Sequence, residues 1–208
     1  SAQAMADIAM PAGFWDFADI ATFPAMGGVV RGYHLEKFLM KNLQAKTFSE
    51  LSVPFVAVTT DLRTGETFPI SSGPIPPAIL ASSAVPSVVK PVNLYGRVLV
   101  DGGVADNVPV DIARTYHPKI IIAVDIGTKL SDDMPHSAFG IAARSYEITS
   151  DRLTHMQLAG TDFVIRPEVG QIGMFDLSHG LELIHAGQQA AYDMIPAIKQ
   201  ALKDNGVA

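Results

Sequence analysis

Leu99-Val100-Asp101-Gly102-Gly103-Val104-Ala105-Asp106-Asn107-Val108-Pro109 is the stretch on which the reading of this chain turns. Arg97 to Val100 reads as a short strand that stops abruptly at an acid and two glycines. A carboxylate just past the carboxyl end of a buried strand stands where α/β proteins place their ligands. Gly102 and Gly103 let the backbone turn sharply and pass close to another group. The plainer alternative is an Asp that caps the following turn, since Asp-Gly is common turn chemistry.

Working outward, Val53-Pro-Phe-Val-Ala-Val-Thr-Thr60 is β-branched and almost uninterrupted, as in a strand covered on both faces. Residues 61–66 form a turn, and Thr67 to Ile70 returns as an edge strand because Pro69 cannot donate to a ladder. A short helix is expected over 76–83, opening on Pro76. Before these lies a helix over 32–43, with Leu35, Phe38, Leu39 and Leu43 on one face and Lys37 and Lys41 on the other. After the Asp-Gly-Gly turn, a helix over 108–116 ends at His117-Pro118. A strongly buried strand follows over 120–124, then an amphipathic helix over 138–158 and a strand over 162–165. A long helix over 178–202 comes last, with Pro196 expected to kink it. Strands alternating with helices predict an α/β fold, a three-layer α/β/α arrangement with a mostly parallel sheet.

The chain has 208 residues, enough for one domain with its own core. Its formal net charge is -6, from 15 basic and 21 acidic residues, with no basic cluster, so a nucleic-acid partner is not expected. There is no cysteine, which excludes disulfides, thiolate metal sites and a thiol nucleophile. No apolar run approaches the roughly 20 residues of a membrane span, and no signal peptide is visible in this chain, which leaves the location open and favours the cytoplasm. Neither G-x-G-x-x-G nor G-x-x-x-x-G-K-[ST] occurs, and no cofactor is expected. Asp61, Asp101, Asp106 and Asp125 could be read as hard-cation ligands, but they lack dense ligand spacing, and no metal site is expected. His34, His117, His136, His155, His179 and His185 show no triad spacing and read as surface or packing residues. Met5, Met10, Phe14, Trp15, Phe17, Phe23 and Met26 could form an acyl-chain surface, or ordinary core.

The ordered set of short signals is more specific than any one of them. Thr60-Asp61-Leu62 and Thr64-Gly65-Glu66 come first. Ala81-Ser82-Ser83-Ala84-Val85-Pro86, Asp101-Gly102-Gly103, Asn107-Val-Pro-Val110 and Ala123-Val124-Asp125 follow. In this order the chain resembles the patatin-like phospholipases of the bacterial type, from about residue 27 onward and more weakly after 130. The resemblance implies a hydrolase of lipid acyl esters working through a Ser-Asp dyad. It places the base at Asp101, with Gly102 and Gly103 shaping its turn. Ala81, Ser82, Ser83 and Pro86 become candidate lining of the substrate pocket.

The family's nucleophile lies in a G-x-S-x-G elbow, after a glycine-rich turn that supplies the oxyanion hole. No serine here has glycine at both flanking positions, and Gly27-Gly28 follows no strand. The chain also opens on Ser1. The expectation is that residues 1–208 are the C-terminal portion of a single patatin-like domain, with the nucleophile in a preceding segment. That segment and a lipid or acyl-ester substrate are the expected partners, with self-association across an exposed sheet edge as a further possibility. The alternative is a catalytically inactive lipid-binding or scaffold homologue.

Overall fold

The computed structural model describes residues 2–11, 13, 17, 19, 28–127, 130, 133–169, 172 and 176–207. The chain divides into two compact units, Ser1–Asp106 and Asn107–Ala208.

The first unit opens with α1 (Ala2–Ala9), β1 (Gly28–Val30) and α2 (Tyr33–Asn42). A 3-10 turn, Phe48–Glu50, leads to β2 (Ala57–Asp61), β3 (Thr67–Ile70), α3 (Ile75–Ser82), β4 (Ser87–Val89), β5 (Val92–Leu94) and β6 (Arg97–Asp101). A second 3-10 turn, Gly102–Val104, follows β6 directly. The main sheet has the strand order β3-β2-β6-β5, and β1 pairs with β4 in a separate parallel ribbon.

The expectation of a mostly parallel sheet is overturned, because every pair in the main sheet is antiparallel. For two of the three pairs, β2–β3 and β5–β6, the reason lies in the connections. Parallel neighbours need a crossover of a dozen or more residues. Here β2 returns as β3 through residues 62–66 alone. β5 returns as β6 through Tyr95-Gly96, both at positive φ (52° and 73°), as a two-residue hairpin of the primed type requires. β5 is not anticipated from the sequence, although this Tyr-Gly pair was the available signal.

All five residues of β2 are buried, as the almost uninterrupted β-branched run predicts. The strand begins at Ala57 rather than at 53, and Val53 and Phe55 are exposed. α3 is apolar nearly all round and accordingly sunk in the unit, burying Ile75, Pro76, Ala78, Leu80 and Ala81. Its prolines occupy the first turn, where a missing N–H leaves no intrahelical bond unmade. With Phe48, Ala57, Ile70 and Leu99, it builds the core on which β2 and β6 rest. Phe17 packs edge-on against Phe38 of α2 at 4.9 Å, as a packing residue would, and Met10 is exposed. Phe14, Trp15, Phe23 and Met26 lie outside the described residues.

The second unit runs α4 (Val110–Arg114), β7 (Ile122–Val124), α5 (Ala138–Leu158), β8 (Phe163–Ile165) and α6 (Gly180–Asp204). α5 has the span its amphipathic pattern predicts and is capped by the Ser137 hydroxyl, which accepts from the Gly140 N–H at 3.0 Å. β7 and β8 pair in parallel, with α5 as the crossover between them. The strong burial expected for β7 is found only at Ala123; Ile122 and Val124 are 44% and 55% exposed. Among the described residues β7 pairs only with β8, so two of its three side chains stay uncovered. Pro196 lies inside α6. Among the described residues, no helix is long and apolar enough to cross a membrane.

Candidate active site

Asp101 is the last residue of β6 and the cap of the 3-10 turn that follows. Its Oδ1 accepts from the Gly103 N–H at 2.7 Å. Among the described residues nothing donates to its Oδ2. The side chain is half-buried, and burial pushes its carboxyl above the ordinary range while the Gly103 N–H pulls the other way. The carboxylate is therefore anchored by one oxygen, open at the other, and more basic than a surface aspartate.

The position of that turn is fixed from β2 and α3. In the β2–β6 ladder Asp101 stands opposite Thr59, so the next pairing would set Gly102 against Val58. A Cβ at Gly102 would overlap the Val58 carbonyl, so only glycine allows this approach. The Val58 carbonyl also accepts from the Ser82 hydroxyl at 2.7 Å. The Gly102 carbonyl accepts three times, from the N–H groups of Ala105 and Asp106 at 3.0 and 2.7 Å and from the Thr60 hydroxyl at 3.3 Å. The Asp101 N–H donates to the Ala84 carbonyl at 3.0 Å, tying the Ala-Ser-rich segment to the base of the carboxylate.

The other residues marked from the sequence fall out as follows. Ala81 is fully buried in the core cluster. Ser83 donates back to the Ile79 carbonyl at 2.8 Å, so both serines satisfy backbone acceptors. Pro86 is partly buried just beyond the helix. Asp61 forms a 2.6 Å ion pair with Arg97 and accepts from the Arg63 N–H at 2.9 Å. These bonds hold its carboxyl below the ordinary range. Asp125 pairs with Arg166 at 3.0 Å. No group of three potential metal ligands is found among the described residues. His155 and His179 face neighbouring carboxylates on their own helical segments.

Sequence reading missed Thr60, Ala84 and Arg97 as supports. The signals were present but ambiguous: a second consecutive threonine ending a β-branched run at Thr60, and a lone cation opening a strand at Arg97. Their partners lie 36 to 42 residues away, beyond any local pattern.

A sheet packed by helices, with a carboxylate closing one of its inner strands, defines an α/β protein with a candidate acid–base centre. The chain belongs to the patatin-like phospholipase family, whose pattern it matches over residues 4–114, more than half its length. An uncharacterized NTE family protein of Mycobacterium tuberculosis is 38% identical over 77 residues, covering 37% of this chain and 21% of that protein. Lysophospholipase NTE1 of Mycosarcoma maydis is 28% identical over 129 residues, covering 62% of this chain and 7% of that one. Patatin-like phospholipase domain-containing protein 7 of Rattus norvegicus is 29% identical over 91 residues, covering 43% and 7%. The chain thus matches about a fifth or less of the length of these relatives.

Proposed function

We propose that this chain carries the base half of a lipid acyl hydrolase that cleaves acyl esters through a Ser-Asp dyad. Family membership supports a hydrolase acting on lipid. The observation that carries the assignment of Asp101 is its asymmetric carboxylate, with Oδ1 held by Gly103 and, among the described residues, no donor to Oδ2 in a half-buried setting. A serine hydroxyl is a weak nucleophile until a positioned base takes its proton. Oδ2 accepts that proton as the serine oxygen attacks the ester carbonyl. The same proton then passes to the departing alcohol, which leaves an acyl-enzyme. Water, deprotonated in its turn by Asp101, attacks the acyl carbon; the bond to the serine oxygen breaks, the proton returns from Asp101 to that oxygen, and the fatty acid is released. The raised basicity of Asp101 suits both transfers.

No G-x-S-x-G stands in these 208 residues, so the proposal takes the serine and the oxyanion donors from a preceding segment of the same polypeptide. It treats residues 1–208 as the C-terminal portion of one patatin-like domain, with helices on both faces of its sheet. Of the Ala-Ser-rich segment, the partly exposed Ser82, Ser83 and Pro86 belong to the pocket wall, while the fully buried Ala81 and Ala84 anchor it, Ala84 through its bond to Asp101.

The test uses the complete polypeptide and a p-nitrophenyl acyl ester. Asp101→Asn is expected to cut turnover by about a thousandfold or more, since members of a catalytic unit fail together. Turnover that survives in D101N removes Asp101 from the chemistry. A wild-type polypeptide that binds lipid vesicles and cleaves no ester points instead to a lipid-binding scaffold.

A further inference from the structure

Thr60 is 2% exposed, in β2 between Thr59 and Asp61. A buried hydroxyl needs a partner, and the bond Thr60 makes is to the carbonyl of Gly102, 42 residues on. Thr60 stands opposite Val100 in the ladder, so its side chain lies on the face from which the chain leaves β6 into the turn. The other two donors to that carbonyl, Ala105 and Asp106, belong to the turn itself. They shape the turn without fixing it to the sheet. Thr60 is a side-chain link from β2 to the turn.

We infer that Thr60 is a positioning residue for the proposed reaction, holding the Gly102 peptide so that the Gly103 N–H stays aimed at Asp101 Oδ1 and Oδ2 stays presented. The inference rests on the assignment of Asp101 as base. Loosening the turn weakens the hydrogen bond that favours the ionised carboxylate. The charged groups around it are few. β2 contributes Asp61, which is already paired to Arg97; the turn contributes Asp106; α3 and β4 carry no titratable side chain.

The experiment compares Thr60→Val, Thr60→Ser and Asp101→Asn in the complete polypeptide, with pH profiles of kcat and KM on the same ester. T60V keeps the shape and loses the donor. It is expected to lower kcat about tenfold with KM unchanged. The acid limb of its profile is expected to move to higher pH, because a base less supported in its charged form ionises later. T60S restores the donor and is expected to restore both readouts. Should T60V not accumulate as folded protein, Thr60→Cys keeps a weak donor in the same volume and should give a smaller change of the same sign. A T60V or T60C profile that overlays the wild type overturns the inference while D101N inactivity leaves the base assignment standing. A kcat loss that T60S does not rescue also overturns it. Activity retained in D101N overturns the base assignment itself.

Discussion

Asp61 closes β2 and Asp101 closes β6, and because the strands run antiparallel the two carboxylates stand at opposite ends of one ladder. Both are strand-end aspartates followed by a turn. Asp61 is satisfied on both oxygens, by the Arg63 N–H and the Arg97 guanidinium, which itself lies over the Phe68 ring at 4.5 Å. Its charge is stabilised and its proton affinity falls. Among the described residues Asp101 has one neutral donor and no cation, and its proton affinity rises. A carboxylate becomes structural or reactive through what tertiary packing brings to it.

The largest expected effect separates the two ends by activity. D101N should lose ester hydrolysis by about a thousandfold or more, whereas Asp61→Asn should keep most of the wild-type kcat, measured side by side in the complete polypeptide. A comparable loss in both variants would erase the distinction drawn here.

Between the two carboxylates the ladder is core. Leu99 is fully buried opposite Asp61, and Leu99→Ala should cost about 2–5 kcal/mol in urea unfolding through lost burial and a residual cavity. In the second unit Ile122 is 44% exposed, and Ile122→Ala should cost under about 1 kcal/mol. Equal costs would mean that Ile122 is covered in the protein in solution.

The smallest effects are in the pH dependence of stability, and the two ends have opposite signs. The carboxyl of Asp61 lies below its ordinary value of 3.8, so its contribution is fully present above that value. It is lost as pH falls through the lower folded value. D61N should be less stable than wild type at neutral pH, and the two unfolding midpoints should converge in acid. The carboxyl of Asp101 lies above the same ordinary value, so its ionised form opposes folding once pH exceeds it. D101N should therefore be slightly more stable than wild type at neutral pH, with the difference vanishing in acid. A D101N protein that is less stable at neutral pH would mean that the carboxylate has partners that stabilise its charge.

The sequence alone determined what depends on neighbours along the chain. The burial of β2, the span of α5, the capping of the turn by Asp101 and the short ordered signals of the family all rest on periodicity or local turn chemistry. Tertiary structure alone decided what depends on distant partners. The β2–β3 and β5–β6 pairs are antiparallel because tight connections such as Tyr95-Gly96 leave no room for crossovers. β7 keeps two exposed apolar side chains because hydropathy records an affinity for cover and not the presence of it. Asp61 and Asp101 part ways because Arg97, Thr60 and Ala84 reach them or their turns across 17 to 42 residues of chain, and electrostatics acts through space.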